Sequence, residues 1–120
     1  MAAAAVLEEH RIALAGATVE AGEVAFESRA ELAAWVGTHR SQITRAAKGQ
    51  EIGGEEGWRL TVLAAVVTAL LGIYEPAAVS GWLHGSSPHL NDRRPLDVLA
   101  EGDVAAVMGA VQAARTGVFA

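Results

Sequence analysis

The chain has 120 residues, of which 52% are hydrophobic and 5% aromatic, and its net charge is −5. This length allows one compact domain, or two small units that share a core. The absence of cysteine excludes disulfides, thiolate catalysis and cysteine-ligated metal sites.

The N-terminal segment is rich in alanine and predicts a single helix. From Ala2 to about Ala15 the larger apolar residues follow helical spacing, and we expect this helix to end near Gly16. The first residues have no basic stretch and include Glu8 and Glu9, so no secretory signal is predicted.

Two short helices are predicted next. Ser28 and Glu31 have the spacing of a capping box, in which each side chain satisfies a free amide group at a helix start. The helix that they begin should stop at Gly37. Thr38 is then expected to cap a second helix, which ends before Gly49.

The helix predicted at residues 55–71 is apolar on nearly all sides. Thr61 and Thr68 are its only polar residues after Arg59. A helix of this kind is buried nearly all round, which places it centrally or in an interface. The longest apolar stretch, Leu60–Tyr74, is too short for a membrane span, which takes about 20 residues.

The C-terminal part alternates short helices with loops. We predict a helix from residue 75 to about residue 82, a loop over 85–94, a helical turn over 95–100 and a last helix that begins near residue 103 and ends at Gly117. No segment shows the alternation of a strand. The chain is therefore predicted to be all-α.

The helix pair at residues 28–48 has the spacing of a helix-turn-helix motif. Ala33 lets the two helices touch, Gly37 makes the turn and Ile43 anchors the second helix. The polar side chains that would then face outward, and that suit base edges and phosphates, are Arg40, Ser41, Thr44, Arg45 and Lys48.

The charge distribution also marks this segment as a DNA-binding candidate. Residues 28–50 carry a net charge of +3, whereas residues 1–27 and 51–120 each carry −4. The alternative is a helix corner whose charges are only solvated. DNA binding would require a dimer, because a monomer with a few phosphate contacts binds poorly at physiological salt.

The residues from Trp82 onward form an ordered pattern of tryptophan-leucine, proline-leucine, glycine and valine positions that ends in Gly-Val-Phe. The matching residues are Trp82, Leu83, Pro88, Leu90, Pro95, Leu96, Asp97, Leu99, Gly102, Val107, Gly117, Val118 and Phe119. This pattern resembles the C-terminal toxin-binding domain of the Xre/MbcA/ParS antitoxins, the cognate partners of RES-domain toxins. The helix-turn-helix and the apolar helix fit the same family more loosely.

The chain departs from the family pattern in one loop and at its N-terminus. Ser87 stands where the family usually has asparagine, and Asn91 and Asp92 replace a glycine-containing pair. The acidic, alanine-rich N-terminal stretch has no clear counterpart in the family.

The resemblance implies a type II antitoxin that neutralises an NAD-degrading RES-domain toxin by burying its C-terminal segment at the entrance of the toxin's active site. The residues that we then expect at the toxin are Trp82, Arg94, Arg115, Gly117, Val118, Phe119 and Ala120. Burial of one phenylalanine would contribute about 1.5–3 kcal/mol. The alternative for Phe119 is that it folds back onto its own helix.

No catalytic, cofactor or metal site is predicted. His84 and His89 lie in the predicted loop, but no second ligand pair is spaced to complete a tetrahedral site. Asp97 and Asp103 are explained by helix starts, where a carboxylate is favourable. Phosphate loops and nucleophile elbows are not visible, so we do not expect an enzyme.

The predicted protein is a cytoplasmic homodimer without a membrane partner. Residues 1–54 would hold the N-terminal helix and the helix-turn-helix bundle, and residues 55–120 the apolar helix and the toxin-binding domain. The apolar helix would lie in the shared core, two toxin molecules would be bound, and the dimer would repress its own operon. Two alternatives are a free-standing helix-turn-helix transcriptional regulator without a toxin partner and a chromosome-partition or scaffold protein with a non-toxic partner.

Overall fold

A computed structural model describes residues 2–117 of the chain. Within that range the chain forms seven α-helices and one 3₁₀ turn, with no β-strand, so the predicted all-α fold is confirmed. The helices are α1 (Ala2–Val24), α2 (Arg29–Val36), α3 (Arg40–Ala47), α4 (Gly54–Leu71), α5 (Pro76–His84), α6 (Pro95–Ala100) and α7 (Val104–Thr116), and the 3₁₀ turn is Pro88–Leu90. Each helix of this range is too short or too polar to cross a lipid bilayer.

Helix α4 runs through the centre of the fold, and α1, α2, α5, α6 and α7 all pack against it. Its buried side chains are Leu60, Val62, Leu63, Ala64, Val66, Val67 and Leu70. Thr61, Ala65, Thr68 and Leu71 form a narrow exposed strip. Most apolar side chains of this helix are therefore buried within one protomer, while Trp58 and Leu71 stay 58% and 40% exposed.

Helix α1 is longer than its glycines suggest. The predicted end near Gly16 is wrong, because the helix continues to Val24. A Cβ at Gly16 would lie 3.4 Å from the carbonyl oxygen of Ala47, and one at Gly22 would lie 3.1 Å from Cδ1 of Leu60. Close helix packing therefore offsets the cost of a glycine in a helix, about 1 kcal/mol.

A capping side chain marks the start of α2 and of α3. The Ser28 hydroxyl accepts a hydrogen bond from the backbone N–H of Glu31 (3.1 Å), as the capping box predicts. Thr38 does not cap α3. The extended residue His39 does so instead, and its Nδ1 accepts a hydrogen bond from the backbone N–H of Ser41 (3.1 Å).

The loop between α5 and α6 is ordered by its own backbone hydrogen bonds. The N–H of Ser87 donates to the carbonyl of Arg93 (3.0 Å), and the N–H of Asp92 donates to the carbonyl of Ser87 (2.8 Å). Asn91 and Asp92 both have left-handed backbones, with φ of 58° and 62°. Asparagine and aspartate tolerate this region best after glycine, so the pair can take the conformation that a glycine-containing pair would supply.

His84 does not lie in this loop, contrary to the sequence-based expectation. It is the last residue of α5, and its Nε2 lies 2.7 Å from the carbonyl oxygen of Ala25. Its ring also meets Phe26 edge-on, with 5.5 Å between ring centroids. His84 therefore joins α5 to the segment that follows α1.

Candidate DNA-binding and partner-binding surfaces

The α2–α3 corner presents one face of α3 to solvent. Ala33 and Ile43 are buried at 2% and 0% exposure, and Gly37 has φ +92°, which favours glycine at the turn. Ser41 and Arg45 lie one helical turn apart on the side of α3 opposite Ile43. Thr44 and Lys48 extend the same face along the helix.

Three cations at this face have no acidic partner. Arg40, Arg45 and Lys48 are exposed, and none of them belongs to an ion pair within residues 2–117. By contrast, Arg29 at the start of α2 pairs with Glu23 at 3.0 Å. The α3 face therefore keeps its positive charge, whereas the charge of Arg29 is neutralised by Glu23.

The side chains of this face differ in the contacts that they already make within the chain. The hydroxyl of Ser41 lies 2.9 Å from Nδ1 of His39, so it is held at the N-terminus of α3. Lys48 borders a shallow groove that is also lined by Glu20 and Glu23, so two carboxylates share its surroundings. Arg40 and Arg45 are therefore the stronger candidates for contacts to an anionic partner.

The apolar positions of the C-terminal pattern are core residues. Those that are buried in the structure are Leu83, Leu90, Pro95, Leu96, Leu99 and Val107. They pack α5, the 3₁₀ turn, α6 and α7 together and against α4. This part of the pattern therefore specifies the fold of the C-terminal helices and leaves only its remaining residues for a partner.

Two arginines expected at a toxin lie on the surface. Arg94 precedes α6 and pairs with Asp97 at 3.2 Å. Arg115 lies in the last turn of α7 and donates a long hydrogen bond (3.4 Å) to Oε1 of Gln112. Both arginine side chains are exposed, so a partner could reach them.

Of the other expected toxin-binding residues, Trp82 lies at the edge of the core and the rest lie at or after the end of α7. Trp82 on α5 is half-buried against the core. Gly117 ends α7 with φ +78°. Val118, Phe119 and Ala120 lie outside the described residues. Within residues 2–117 no hydrogen bond or ion pair joins Trp82 to either arginine.

Beside Arg94, a second exposed ion pair shifts two pKa values. The guanidinium of Arg93 donates two hydrogen bonds to the carboxylate of Glu101, one of them 3.0 Å long. These hydrogen bonds, together with the positive charge of Arg93, lower the pKa of Glu101. The same hydrogen bonds raise the pKa of Arg93. The pair joins the loop to the end of α6.

Sequence reasoning missed the contacts that join the α2–α3 corner to the C-terminal helices. Nε1 of Trp35 donates to the carbonyl of Leu96 (3.2 Å). The guanidinium of Arg59 donates to the carbonyls of Trp35 and Ala100, both at 3.4 Å. We call Trp35 and Arg59 the brace. The one available signal was an arginine inside an otherwise apolar helix.

Within the described part of the chain, no three histidine, aspartate or glutamate side chains are placed to hold a metal ion. The chain matches no protein-family model, no curated protein and no solved structure.

Proposed function

We propose that this chain is an antitoxin that binds an NAD-degrading RES-domain toxin and blocks its active site with its C-terminal segment. The observation that carries the proposal is the division within the C-terminal helices. The buried members of the pattern pack into one helical unit, while Arg94 and Arg115, which do not belong to the pattern, remain exposed and α7 ends at Gly117, just before the terminal residues. The proposal assigns the chain no catalytic activity and no cofactor.

The terminal residues would supply most of the affinity for the toxin. A phenylalanine that is buried in a cleft contributes about 1.5–3 kcal/mol, and such anchors dominate protein interfaces. Arg94 and Arg115 would pair with acidic groups at the rim of the cleft, where an exposed ion pair contributes about 0–1 kcal/mol. Phe119 is therefore the residue whose loss should matter most.

Deletion of residues 117–120 tests this mechanism. The truncated chain should lose co-purification with the product of the adjacent gene and should no longer stop NAD consumption in cells that express both proteins. Its circular dichroism should stay helical, because the deletion lies beyond the last turn of α7. Met108→Ala, at an exposed position of α7, is the matched control and should still neutralise the toxin.

Two results would contradict the proposal. Neutralisation by the truncated chain would exclude the C-terminal plug. An adjacent reading frame that encodes no RES-type toxin would favour a free-standing regulator or a scaffold protein with a different partner.

We further propose that the same chain binds operator DNA through α3 and represses its own operon. The three unpaired cations at the α3 face favour this role. Arg40→Ala combined with Arg45→Ala should abolish the gel shift of the operator without loss of the toxin complex. Each lost phosphate contact should also reduce the salt slope of binding by about 1.

The matched control for the DNA experiment is Arg94→Ala combined with Arg115→Ala, which removes the same charge far from α3. This control should keep the gel shift. If both double variants weaken DNA binding equally, net charge rather than the α3 face is responsible. An operator that shifts normally with the α3 variant would remove α3 from the functional account.

A further inference from the structure

The N-terminal half of α1 exposes large apolar side chains. Leu7 and Leu14 are 69% and 67% exposed, and Val6 and Ile12 are 47% and 43% exposed. The Cα extents of 50 × 28 × 23 Å describe an elongated molecule. Exposed apolar patches of this kind mark interaction surfaces.

The exposed side of α1 has the spacing of a helix-pairing seam. Five exposed residues are separated alternately by four and three positions, and they are Ala3, Leu7, His10, Leu14 and Ala17. This alternation keeps one stripe facing a partner helix. Val19, which is buried at 1% exposure, lies on a different side of the helix. The seam is therefore separate from the surface that packs on α3 and α4.

A groove runs beside the seam. Leu7, Arg11 and Leu14 lie on one wall, and Ile52 and Leu60 lie on the other. The groove has a volume of about 520 Å³ and a mostly apolar lining. The seam thus forms a ridge next to a groove, and this groove can receive the same ridge of a second copy.

We propose that this surface, the α1 seam with its groove, binds a second copy of the chain. A two-fold interface uses the same patch on both copies, so the patch must complement itself. A ridge beside a groove meets this condition. In an antiparallel arrangement centred near His10, Leu7 of each copy would lie next to Leu14 of the other.

The electrostatics of the seam favour the same occupant. Arg11 pairs with Glu8 on its own helix, and its Nε lies 3.9 Å from Glu51. The five seam residues include no carboxylate and no arginine or lysine. Two copies can therefore meet along this stripe without facing like charges.

The available area fits a small interface. Residues 3–17 of a helix extend about 22 Å, and half the accessible circumference of such a helix is about 450 Å². The opposite groove wall adds to this area, and specific interfaces begin at about 600 Å² per partner. A dimer through α1 would therefore lie at the small end of stable interfaces.

An α1 dimer would also set the position of the two α3 helices relative to each other. That consequence rests on the proposed DNA binding, whereas the dimer itself does not. Helix α1 packs directly on α3, where Gly16 lies close to the carbonyl of Ala47 and Ile12 lies against Gly49. A two-fold axis through α1 would therefore fix the distance and direction between two α3 helices. A helix-turn-helix dimer needs such a fixed separation to read two half-sites.

The oligomeric state of the full chain tests this inference. Analytical ultracentrifugation should give a dimer for the wild type and a monomer for Leu7→Glu combined with Leu14→Glu. The dissociation constant should rise roughly 100-fold or more, because two leucines are lost from each copy. Both positions are exposed in the protomer, so the helical circular dichroism should persist. Leu71→Glu combined with Met108→Glu is the matched control and should remain dimeric.

A crosslink provides a second measurement. Since the chain has no cysteine, His10→Cys introduces a single thiol near the expected axis, and a disulfide between copies needs Cα atoms within about 7 Å. Under mild oxidation His10→Cys should form a covalent dimer, and Gln112→Cys on α7 should not. A monomeric wild type, a dimer that survives the seam substitutions, or crosslinking only through Gln112→Cys would overturn the inference.

The outcomes separate this inference from the proposed function. If the seam variant is monomeric and still neutralises the toxin, the dimer surface is right and toxin binding is independent of it. If the wild type is an α1 dimer that binds no DNA, only the role of α3 fails.

Discussion

Arg59 donates to carbonyls in the last turns of α2 and α6, and its replacement tests how the two halves of the chain are joined. In Arg59→Met the aliphatic stem stays, while the hydrogen bonds to Trp35 and Ala100 are lost. Both bonds are 3.4 Å long and the side chain is 31% exposed. Each should therefore contribute about 0.5–1.5 kcal/mol, the range of ordinary rather than charged hydrogen bonds. We expect the free energy of unfolding to fall by about 1–3 kcal/mol in total.

Urea denaturation, followed by tryptophan fluorescence and by circular dichroism, measures this loss. Trp35→Phe removes the hydrogen bond to Leu96 and should lower the free energy of unfolding by about 1 kcal/mol. Since both changes remove hydrogen bonds that join the α2 region to α6, they should be coupled by about 0.5 kcal/mol or more in a double-mutant cycle.

The matched control is Arg94→Met, which removes one exposed ion pair and should change stability by less than about 0.5 kcal/mol. A loss of the same small size in Arg59→Met would refute the brace. Separate transitions for the two probes in the wild type would refute the idea that the brace joins one cooperative unit.

Three further predictions concern single positions. Gly57→Ala should lower the free energy of unfolding by about 1–3 kcal/mol in urea denaturation, because a Cβ there would overlap the backbone carbonyl of Ile52. Gly81→Ala is the control and should be neutral or stabilising, because a Cβ at that position has no neighbour within contact distance. Asn91→Gly should raise the thermal midpoint slightly, since glycine adopts the left-handed backbone without steric cost, and a lower midpoint would contradict this reasoning. Arg93→Gln should raise the pKa of Glu101 toward its ordinary value in a carboxyl NMR titration, and an unchanged pKa would show that the ion pair does not form in solution.

The sign of the pH effect follows from the direction of that shift. The pKa of Glu101 is lowered in the folded chain, so its contribution to stability is present above the pKa of the unfolded chain. That contribution is lost as the pH falls through the lowered folded value. Arg93→Gln should therefore weaken the acid dependence of unfolding in this window.

Local signals predicted the helices with strong caps. Ser28 and Gly37 bound α2 as the capping box and the glycine indicate. Pro76 begins α5, and Gly117 ends α7. In each case the group that stabilises the helix end lies within a few residues of it, so the sequence contains the whole interaction.

Signals that depend on distant residues could not be read in this way. Gly16 looks like a helix end, yet the carbonyl of Ala47 lies against it and α1 continues. His84 looks like a loop residue, yet its hydrogen bond to Ala25 crosses 59 positions of the chain. The brace has the same character, since Trp35 and Leu96 are 61 positions apart.

The residues that resemble the antitoxins divide into buried positions and exposed or terminal positions. Leu83, Leu96 and Val107 match the pattern, but all three are fully buried, and a helical unit would need apolar residues there for any function. Their match supports a fold, and a regulator or a scaffold protein could share that fold. The functional content lies in the exposed and terminal positions, which packing does not require. Removal of residues 117–120 is therefore the decisive experiment, because it changes the positions that the proposed function needs and leaves those that the core needs.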